Sequence, residues 1–351
     1  MNGSIGLAVG AEEELTALLE TGLTVNGAAQ IAGPFLSALT FPPERGVQAI
    51  LLYGSVLWNA TRDQTSQPDF IAVVDSLRAW YLRPRDRFWG AVLPPAVHCL
   101  RVGDASGLSE GGALAKVSVV TARQLASQTA VNAKDLHLCG RLSKRVALVW
   151  SRDPHARQRI IDAKRAALKT MARLTLARFG GAFALDDFLL ALLGLSYESE
   201  VRIVEPGKVA ALLDVERDHY RAVGRALLGA LGATPIEMGT LGGFPNPPAT
   251  DSAGGPGFVH TIDRSPPSRF NLPPGVAADG QELQRWLRRS RRRAYLRWPK
   301  YLATYDGWLD YLLQKLARSG NQVSLTERQR RHPLIFALPV LYQMMRSKRV
   351  G

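Results

Sequence analysis

Two apolar runs bounded by polar residues dominate the first part of the chain. Leu51-Leu52-Tyr53 stops at Gly54-Ser55, and a gap rich in Asn, Thr, Asp and Gln follows. Asp69-Phe70-Ile71-Ala72-Val73-Val74-Asp75 then opens on a carboxylate and stays apolar up to Asp75. Short apolar runs between turn residues predict buried strands, so the pattern reads strand, Gly-Ser turn, loop, strand. Upstream, residues from about 10 to 40 carry Leu15, Leu18, Leu19 and Leu23 at helical spacing. Downstream, Ser76–Tyr81 predicts a helix start capped by Asp75 or Ser76. Segment 83–112, dense in Pro and Gly, predicts a loop with short elements. Ala115–Val120 alternates and predicts a strand, 121–139 a helix, and Val146–Trp150 another strand. Alternating strands and helices predict an α/β domain over 1–150.

The texture changes after Asp153. Residues 154–178 predict a long basic amphipathic helix and Leu185–Leu195 a second one. Ser196–Val204 predicts a short strand or hairpin, and 206–231 a third helix. Together they predict a mostly helical domain over 151–231. Residues 232–280, with Pro245–Pro248 and Gly254–Gly257, read as a linker or loop. The tail, 281–351, is helical in pattern, basic and aromatic. No internal repeat is present.

A length of 351 residues suits two to three domains, and 46% apolar residues suffice for packed cores. The net charge of +14 points to a polyanionic partner: nucleic acid, an anionic membrane or nucleotide substrates. The charge is clustered, with eight basic residues and no acidic one between Arg285 and Lys300. Only Cys99 and Cys139 occur and no CxxC is present, which argues against a zinc site and fits a reduced compartment. Met1–Leu23 lacks a basic leader and carries Glu12, Glu13, Glu14 and Glu20, against a secretory signal or presequence. No uncharged apolar run reaches the ~20 residues needed to span a bilayer. The expected location is therefore cytoplasmic, with any membrane contact peripheral.

The Gly-Ser turn and the Asp at the next strand form the entry signature of a nucleotidyltransferase. Glycine lets backbone N–H groups approach a triphosphate, and a carboxylate holds the Mg²⁺ that neutralises its charge. The competing reading is a tight turn between buried strands with Asp69 as a turn residue. On a strand, Asp69, Ile71, Val73 and Asp75 share a face. Asp69 and Asp75 are about 20 Å apart along a straight strand, too far to share a metal unless the chain bends. Ile71 stands where the common nucleotidyltransferase pattern has a second carboxylate. Lys116 lies within an apolar strand, where a lone ammonium is costly unless it is paired or faces a site. Arg141 and Lys144, in a short basic loop after a helix, read as a phosphate clamp or as a solvated surface.

At this point the residues resemble a known family: the mitochondrial-type phosphatidate cytidylyltransferases, or CDP-diacylglycerol synthases, of the translocator assembly and maintenance family, which has bacterial members. Tyr53-Gly54-Ser55 resembles the family's Tyr-Gly-Ser. Asp69-Phe70-Ile71 with Val74-Asp75 and Trp80 resembles its Ile-Asp-Phe/Leu-Ile…Val-Asp and following Trp. Lys116–Val120 is similar to Lys-Tyr-Gly-Val-Val. Asp135-Leu136 and Gly140–Lys144 are similar to Asp-Leu and Ala-Gly-Arg-Leu-Gln-Lys. Leu195–Arg202 resembles Leu-Ser-Tyr-x-Gly-Asp-x-Arg, followed by Glu205 and Lys208-Val209. The resemblance covers about residues 50–230. The chain departs from the family at Tyr81 (His in the family), at Val117-Ser118 (Tyr-Gly) and at Ser199-Glu200 (Gly-Asp).

The resemblance implies a nucleotidyltransferase-fold domain, a winged-helix-like domain and a membrane-associating C-terminal segment. The implied reaction is CTP plus phosphatidate giving CDP-diacylglycerol and pyrophosphate with Mg²⁺. Tyr53, Gly54, Ser55, Lys116, Arg141 and Lys144 would bind nucleotide, and Asp69 and Lys116 would be catalytic. Asp69 would hold the metal, joined by Asp75 unless Asp75 is a helix cap. Arg202 and Lys208 are candidates for the lipid phosphate, the alternative being ion pairs with Glu200 or Glu205. Trp286, Tyr295, Trp298, Tyr301, Tyr305, Trp308, Tyr311 and Tyr342, among many Arg and Lys, would suit an anionic membrane surface, each basic residue adding about 1 kcal/mol. Pro333–Leu341 is apolar but too short to span a membrane, and would suit the interface. The alternative makes these aromatics core residues of a helical hairpin, which Leu309, Leu312, Leu313 and Leu316 favour for its middle. Nucleic acid is not an expected partner. The competing functions are a nucleotidyltransferase acting on RNA or a small molecule, and a non-catalytic basic membrane- or nucleic-acid-binding relative.

Overall fold

The computed structural model describes residues 2–57, 67–103, 113–200, 207–236, 269–272, 275–304, 309, 313 and 325–331. Arg202, Glu205, the Pro/Gly-rich run 237–268, and Tyr305, Trp308, Tyr311, Tyr342 and Pro333–Leu341 lie outside the described residues.

Helices α1 (Asn2–Gly22) and α2 (Ala28–Thr40) precede strand β1 (Val47–Tyr53). Then come β2 (Asp69–Val74), α3 (Leu77–Trp80), α4 (Pro84–Val92), β3 (Ala96–Val102), β4 (Ala113–Thr121), α5 (Ala122–Thr129), α6 (His137–Leu142) and β5 (Val146–Ser151). The five strands form one mixed sheet in the order β3-β4-β2-β1-β5. β1 is antiparallel to β2 and β5, β2 is parallel to β4, and β4 is antiparallel to β3. The architecture is α/β, as the alternation of elements predicts.

Both faces of the sheet are covered, which is why β1 and β2 read as nearly unbroken apolar runs. Ala49, Leu51, Ile71 and Val73 face a large core shared with α1, α6 and α7 (Pro154–Leu176). Ile50, Leu52, Phe70, Ala72 and Val74 face a smaller core built with α2 and α3. The large core does not stop at residue 150. Leu51, Leu168, Leu189, Leu227 and Trp286 all belong to it, so the helices after 150 pack against the sheet through one shared core. That segment holds β6 (Phe183–Ala184), α8 (Leu185–Glu198), α9 (Lys208–Val215), α10 (Arg217–Ala230), β7 (Thr234–Ile236) and β8 (Arg269–Asn271). The last three strands form a small antiparallel sheet in the order β6-β8-β7.

Three local expectations are corrected and two are given their detail. Segment 83–112 holds a helix, α4, and an edge strand, β3. Pro84 sits at a helix first turn, where its missing N–H costs nothing, so the proline density marks a start there and not a loop. The helix expected over 121–139 is two, α5 and α6, the first opened by a reciprocal Thr121–Gln124 capping box. Ser196–Glu198 form the last turn of α8, not a strand. The helix expected over 206–231 is α9 and α10, broken at Glu216. Ser76, not Asp75, caps α3: its hydroxyl accepts from Ala79 N–H at 3.1 Å.

The basic helix α11 (Gly280–Thr304) is strapped to the body. Leu283, Trp286 and Leu287 enter the large core. Ser290 Oγ accepts from Leu136 N–H at 3.0 Å, and Arg289 donates to the Ala133 carbonyl at 2.8 Å. Buried Asp135 accepts from Arg293 at 2.6 Å and Arg297 at 2.8 Å. Burial alone would raise the Asp135 pKa, but Arg297, the His137 N–H and Arg293 outweigh it and hold the carboxyl below its ordinary 3.8.

Asp135→Asn leaves Arg297 buried without its counter-charge, so urea unfolding at neutral pH should show a loss of about 3–5 kcal/mol. A depressed native pKa gives stability that is present above the ordinary value and lost as pH falls through the native one. The gap between wild type and variant should therefore close below about pH 3.8.

Candidate functional site

Strand register assembles the site. Tyr53 at the end of β1 pairs with Asp69 at the start of β2, and Asp69 pairs with Lys116 of the parallel β4. Alternation then sends Lys116, Ser118 and Val120 to the face of the sheet that carries Asp69, Ile71 and Val73. Three neighbouring strands thus present a phenol, a carboxylate and an ammonium in one row. Lys116 Nζ lies 3.7 Å from Asp69 Oδ1, with the side chains 16% and 33% exposed. Tyr53 Oη and Ser118 Oγ approach to 3.5 Å behind them.

Gly54 turns the chain away at φ +94°, and Leu57 N–H closes a tight turn on the Gly54 carbonyl at 3.1 Å. A Cβ on Gly54 would stand 3.2 Å from Asp69 Oδ2. Glycine is required here on two counts, the left-handed backbone and the space beside the carboxylate. Ser55 starts the turn immediately after it.

Helix α6 supplies the next cation. Arg141 lies within that helix, not in the loop its sequence suggests, and is buried. Its guanidinium sits 5.7 Å from the Tyr53 ring centroid and donates to Glu200 Oε1 at 2.5 Å and to the His137 carbonyl at 3.0 Å. His137 Nδ1 is 3.7 Å from the same Glu200 oxygen. Lys144 stands 3.6 Å from the centroid of Tyr197. The α6 end that carries these cations is held by Lys164, whose Nζ donates to the carbonyls of Leu142 at 2.9 Å and Lys144 at 2.7 Å. A lysine on terminal helix carbonyls satisfies groups that have no partner inside the helix. Burial and the nearby Arg145 push the Lys164 pKa down to about 7, against the weaker pull of Glu216. Gly140 makes the close crossing of α6 with α8: a Cβ there would come within 2.8 Å of Ser196 Cβ.

The structure therefore brings together Tyr53, Gly54, Asp69, Lys116 and Arg141, with Ser55 in the adjoining turn and Lys144 just past the end of α6. It separates Asp75 from them. Asp75 lies beyond the opposite end of β2, where it accepts from Gln48 at 2.5 Å and Arg152 at 2.8 Å. Burial raises its pKa, but the Arg152 and Gln48 bonds prevail and leave it below the ordinary value. Lys208 is exposed in the first turn of α9, and Arg202 lies outside the described residues. Three members of the site are additions. Ser118 shares the face of Lys116 by period-two alternation, a signal present in the sequence. Glu200, one of two acidic residues offered as alternative partners for Arg202 and Lys208, pairs with Arg141, and His137 joins it. Nothing local in the sequence announces these two, because a helix crossing creates them.

Among the described residues no three His, Cys, Asp or Glu side chains gather into a metal cage. The arrangement fits a metal of another kind. Mg²⁺ keeps most of its waters and takes one or two carboxylates together with substrate phosphates. Asp69, partly exposed at the edge of the sheet beside the Gly54–Ser55 turn, is such a carboxylate. Comparison with protein-family models and with curated proteins returns no match.

Gly54→Ala should strain the backbone at positive φ and crowd Asp69, lowering stability by roughly 1–3 kcal/mol. Urea denaturation checks this, and an unchanged midpoint would contradict the tight turn.

Proposed function

We propose that the protein is a Mg²⁺-dependent nucleotidyltransferase, and specifically a phosphatidate cytidylyltransferase that makes CDP-diacylglycerol and pyrophosphate from CTP and phosphatidate. One observation carries the reading. Gly54, Asp69 and Lys116 come from three adjacent strands and stand in contact range at the same end of the sheet. That combination of a glycine turn, one carboxylate and one ammonium serves a triphosphate and has no structural necessity in an otherwise apolar sheet. Further support comes from the mixed five-stranded sheet covered by helices, which suits the nucleotidyltransferase-fold core that the resemblance implies. The order α7, β6, α8, α9, α10, β7, β8 suits the winged-helix-like domain that it also implies. Each rests on the resemblance as well as on the topology.

In this reading no protein nucleophile is needed. An anionic phosphatidate oxygen forms a bond to the α-phosphorus of CTP, and the bond to the β-phosphate oxygen breaks as pyrophosphate leaves. Catalysis is positioning and charge neutralisation. The Gly54–Ser55 turn binds phosphate oxygens through its N–H groups and the Ser55 hydroxyl. Lys116 stabilises the charge that develops on the departing oxygens, and Arg141 and Lys144 hold a phosphate. Tyr53 forms the wall between Asp69 and Arg141. Asp69 is the ligand for Mg²⁺, which supplies neutralisation of the triphosphate. Glu200 and His137 fix Arg141, so its guanidinium is placed before substrate arrives.

The phosphatidate lies in a bilayer, and the protein meets it from outside. No helix among the described residues is long and apolar enough to cross a membrane. The basic C-terminal segment suits an anionic surface, with Trp286 withdrawn from that role because it is core.

Radiolabelled CTP, Mg²⁺ and phosphatidate in mixed micelles test the reading. The wild type should yield labelled CDP-diacylglycerol. Asp69→Ala and Lys116→Met should each lower turnover on the order of 10²–10³-fold with folding retained. CTP bound without any labelled lipid would reject the lipid acceptor and favour a non-catalytic relative. Labelling of RNA or of a small acceptor would favour the other transferase reading.

A further inference from the structure

Helix α4 departs from what a surface helix should do. Its inner side is fixed. Gly90 packs so closely on Leu77 and Ala96 that an added Cβ would meet them at 3.0 and 3.3 Å. Gln124 Nε2 donates to the Gly90 carbonyl at 2.9 Å. Arg87 donates to the carbonyls of Tyr81 at 2.6 Å and Leu82 at 3.2 Å, which pins the chain entering the helix. The turn that leaves it is clamped by α11: Lys300 Nζ donates to Leu93 and Pro95 carbonyls at 2.5 and 2.6 Å, and Arg297 to Pro94 at 3.0 Å. Yet this firmly held helix and the turn that enters it show large apolar side chains to solvent. Leu82 is 89% exposed, Phe88 60% and Val92 53%. Phe88 and Val92, four apart, lie on one helix face. Arg78, Arg83 and Arg85 are exposed in the same stretch, and the single acidic residue of α4, Asp86, is paired with Arg85 at 3.5 Å. Just before the clamp residues of α11, Tyr295 and Leu296 are exposed as well.

A rigid apolar ridge with an arginine collar has the composition of an interfacial membrane-binding element. A second copy of the chain fits less well. Stable dimers bury about 800 Å² per partner, more than three side chains supply, and a symmetric contact would set the arginines of both copies against each other.

We propose that α4 is a membrane wedge: Leu82, Phe88 and Val92 enter the interface of an anionic bilayer while Arg78, Arg83 and Arg85 meet its phosphates. The wedge deepens the lipid-substrate reading above and rests on it. It gives the enzyme a rigid contact with the membrane, built into the catalytic body, separate from the basic tail.

Flotation with vesicles of phosphatidylcholine and phosphatidylglycerol tests the wedge without CTP. The triple substitution Leu82→Ser, Phe88→Ser and Val92→Ser should lower the partition coefficient on the order of tenfold or more. Turnover of water-soluble dihexanoyl phosphatidate should be unchanged by it. In the wild type, hydrogen exchange over residues 82–92 should slow when the vesicles are added, a readout independent of how the variant folds. A variant that floats like wild type, a wild type that does not float, or unchanged exchange over 82–92 overturns the wedge, as does dimerisation through α4 without vesicle binding. Vesicle binding as expected with no turnover of dihexanoyl phosphatidate leaves the surface in place and rejects the cytidylyltransferase reading.

Discussion

The register of β2 between β1 and β4 is the constraint on which the rest depends. Tyr53 opposite Asp69, and Asp69 beside Lys116, follow from that pairing alone. A slip of β2 by one residue would turn Asp69 away from Lys116 and bring Phe70 into its place. Both faces of the strand are buried, so a slip would also exchange its two apolar rows between cores packed for different side chains. The core thus enforces the geometry of the polar row at its edge. An ammonium and a carboxylate can stand at the end of an apolar sheet because neighbouring strands deliver each to the other.

A second layer of fixed contacts holds the cations of α6. Lys164 satisfies the carbonyls at the helix end, Gly140 allows the crossing with α8, and Glu200 and His137 orient Arg141. On the far side, Asp135 ties the start of α6 to Arg293 and Arg297 of α11. The same helix then clamps the turn after α4 through Arg297 and Lys300. One basic helix therefore links the cation-bearing helix α6 to the exposed apolar ridge. The clustered charge between Arg285 and Lys300 divides into buried members that do structural work and exposed ones that face outward.

Much of this was legible in the sequence where a local rule sufficed. The strand–turn–strand unit at 51–75, the strand at Lys116, the long helix after Asp153 and the basic helix at the end all follow from periodicity. So do the site residues Tyr53, Gly54, Ser55, Asp69 and Lys116, because strand ends and a glycine turn announce themselves locally. The misses share a physical cause. The short elements expected within 83–112 are α4 and β3, whose type the proline density leaves open, since proline marks a helix start as readily as a loop. The breaks at 130–136 and at Glu216 carry no glycine or proline that would mark them in the sequence. Asp75 lies just past the far end of the strand that Asp69 opens, as strand length alone foretells. Glu200 and His137 reach Arg141 only through the crossing of α6 with α8, and no spacing in the chain encodes a crossing.

The claim that joins these observations is that the Gly54–Ser55 turn, Asp69 and Lys116 receive a nucleoside triphosphate. Determining the structure of the protein with a non-hydrolysable CTP analogue and Mg²⁺ tests it most directly. The account predicts the triphosphate on the Gly54–Ser55 turn, with the metal between its oxygens and Asp69 and with Lys116 on a phosphate. A nucleotide bound elsewhere, or Asp69 left bonded to Lys116 with the turn empty at saturating analogue, would contradict it.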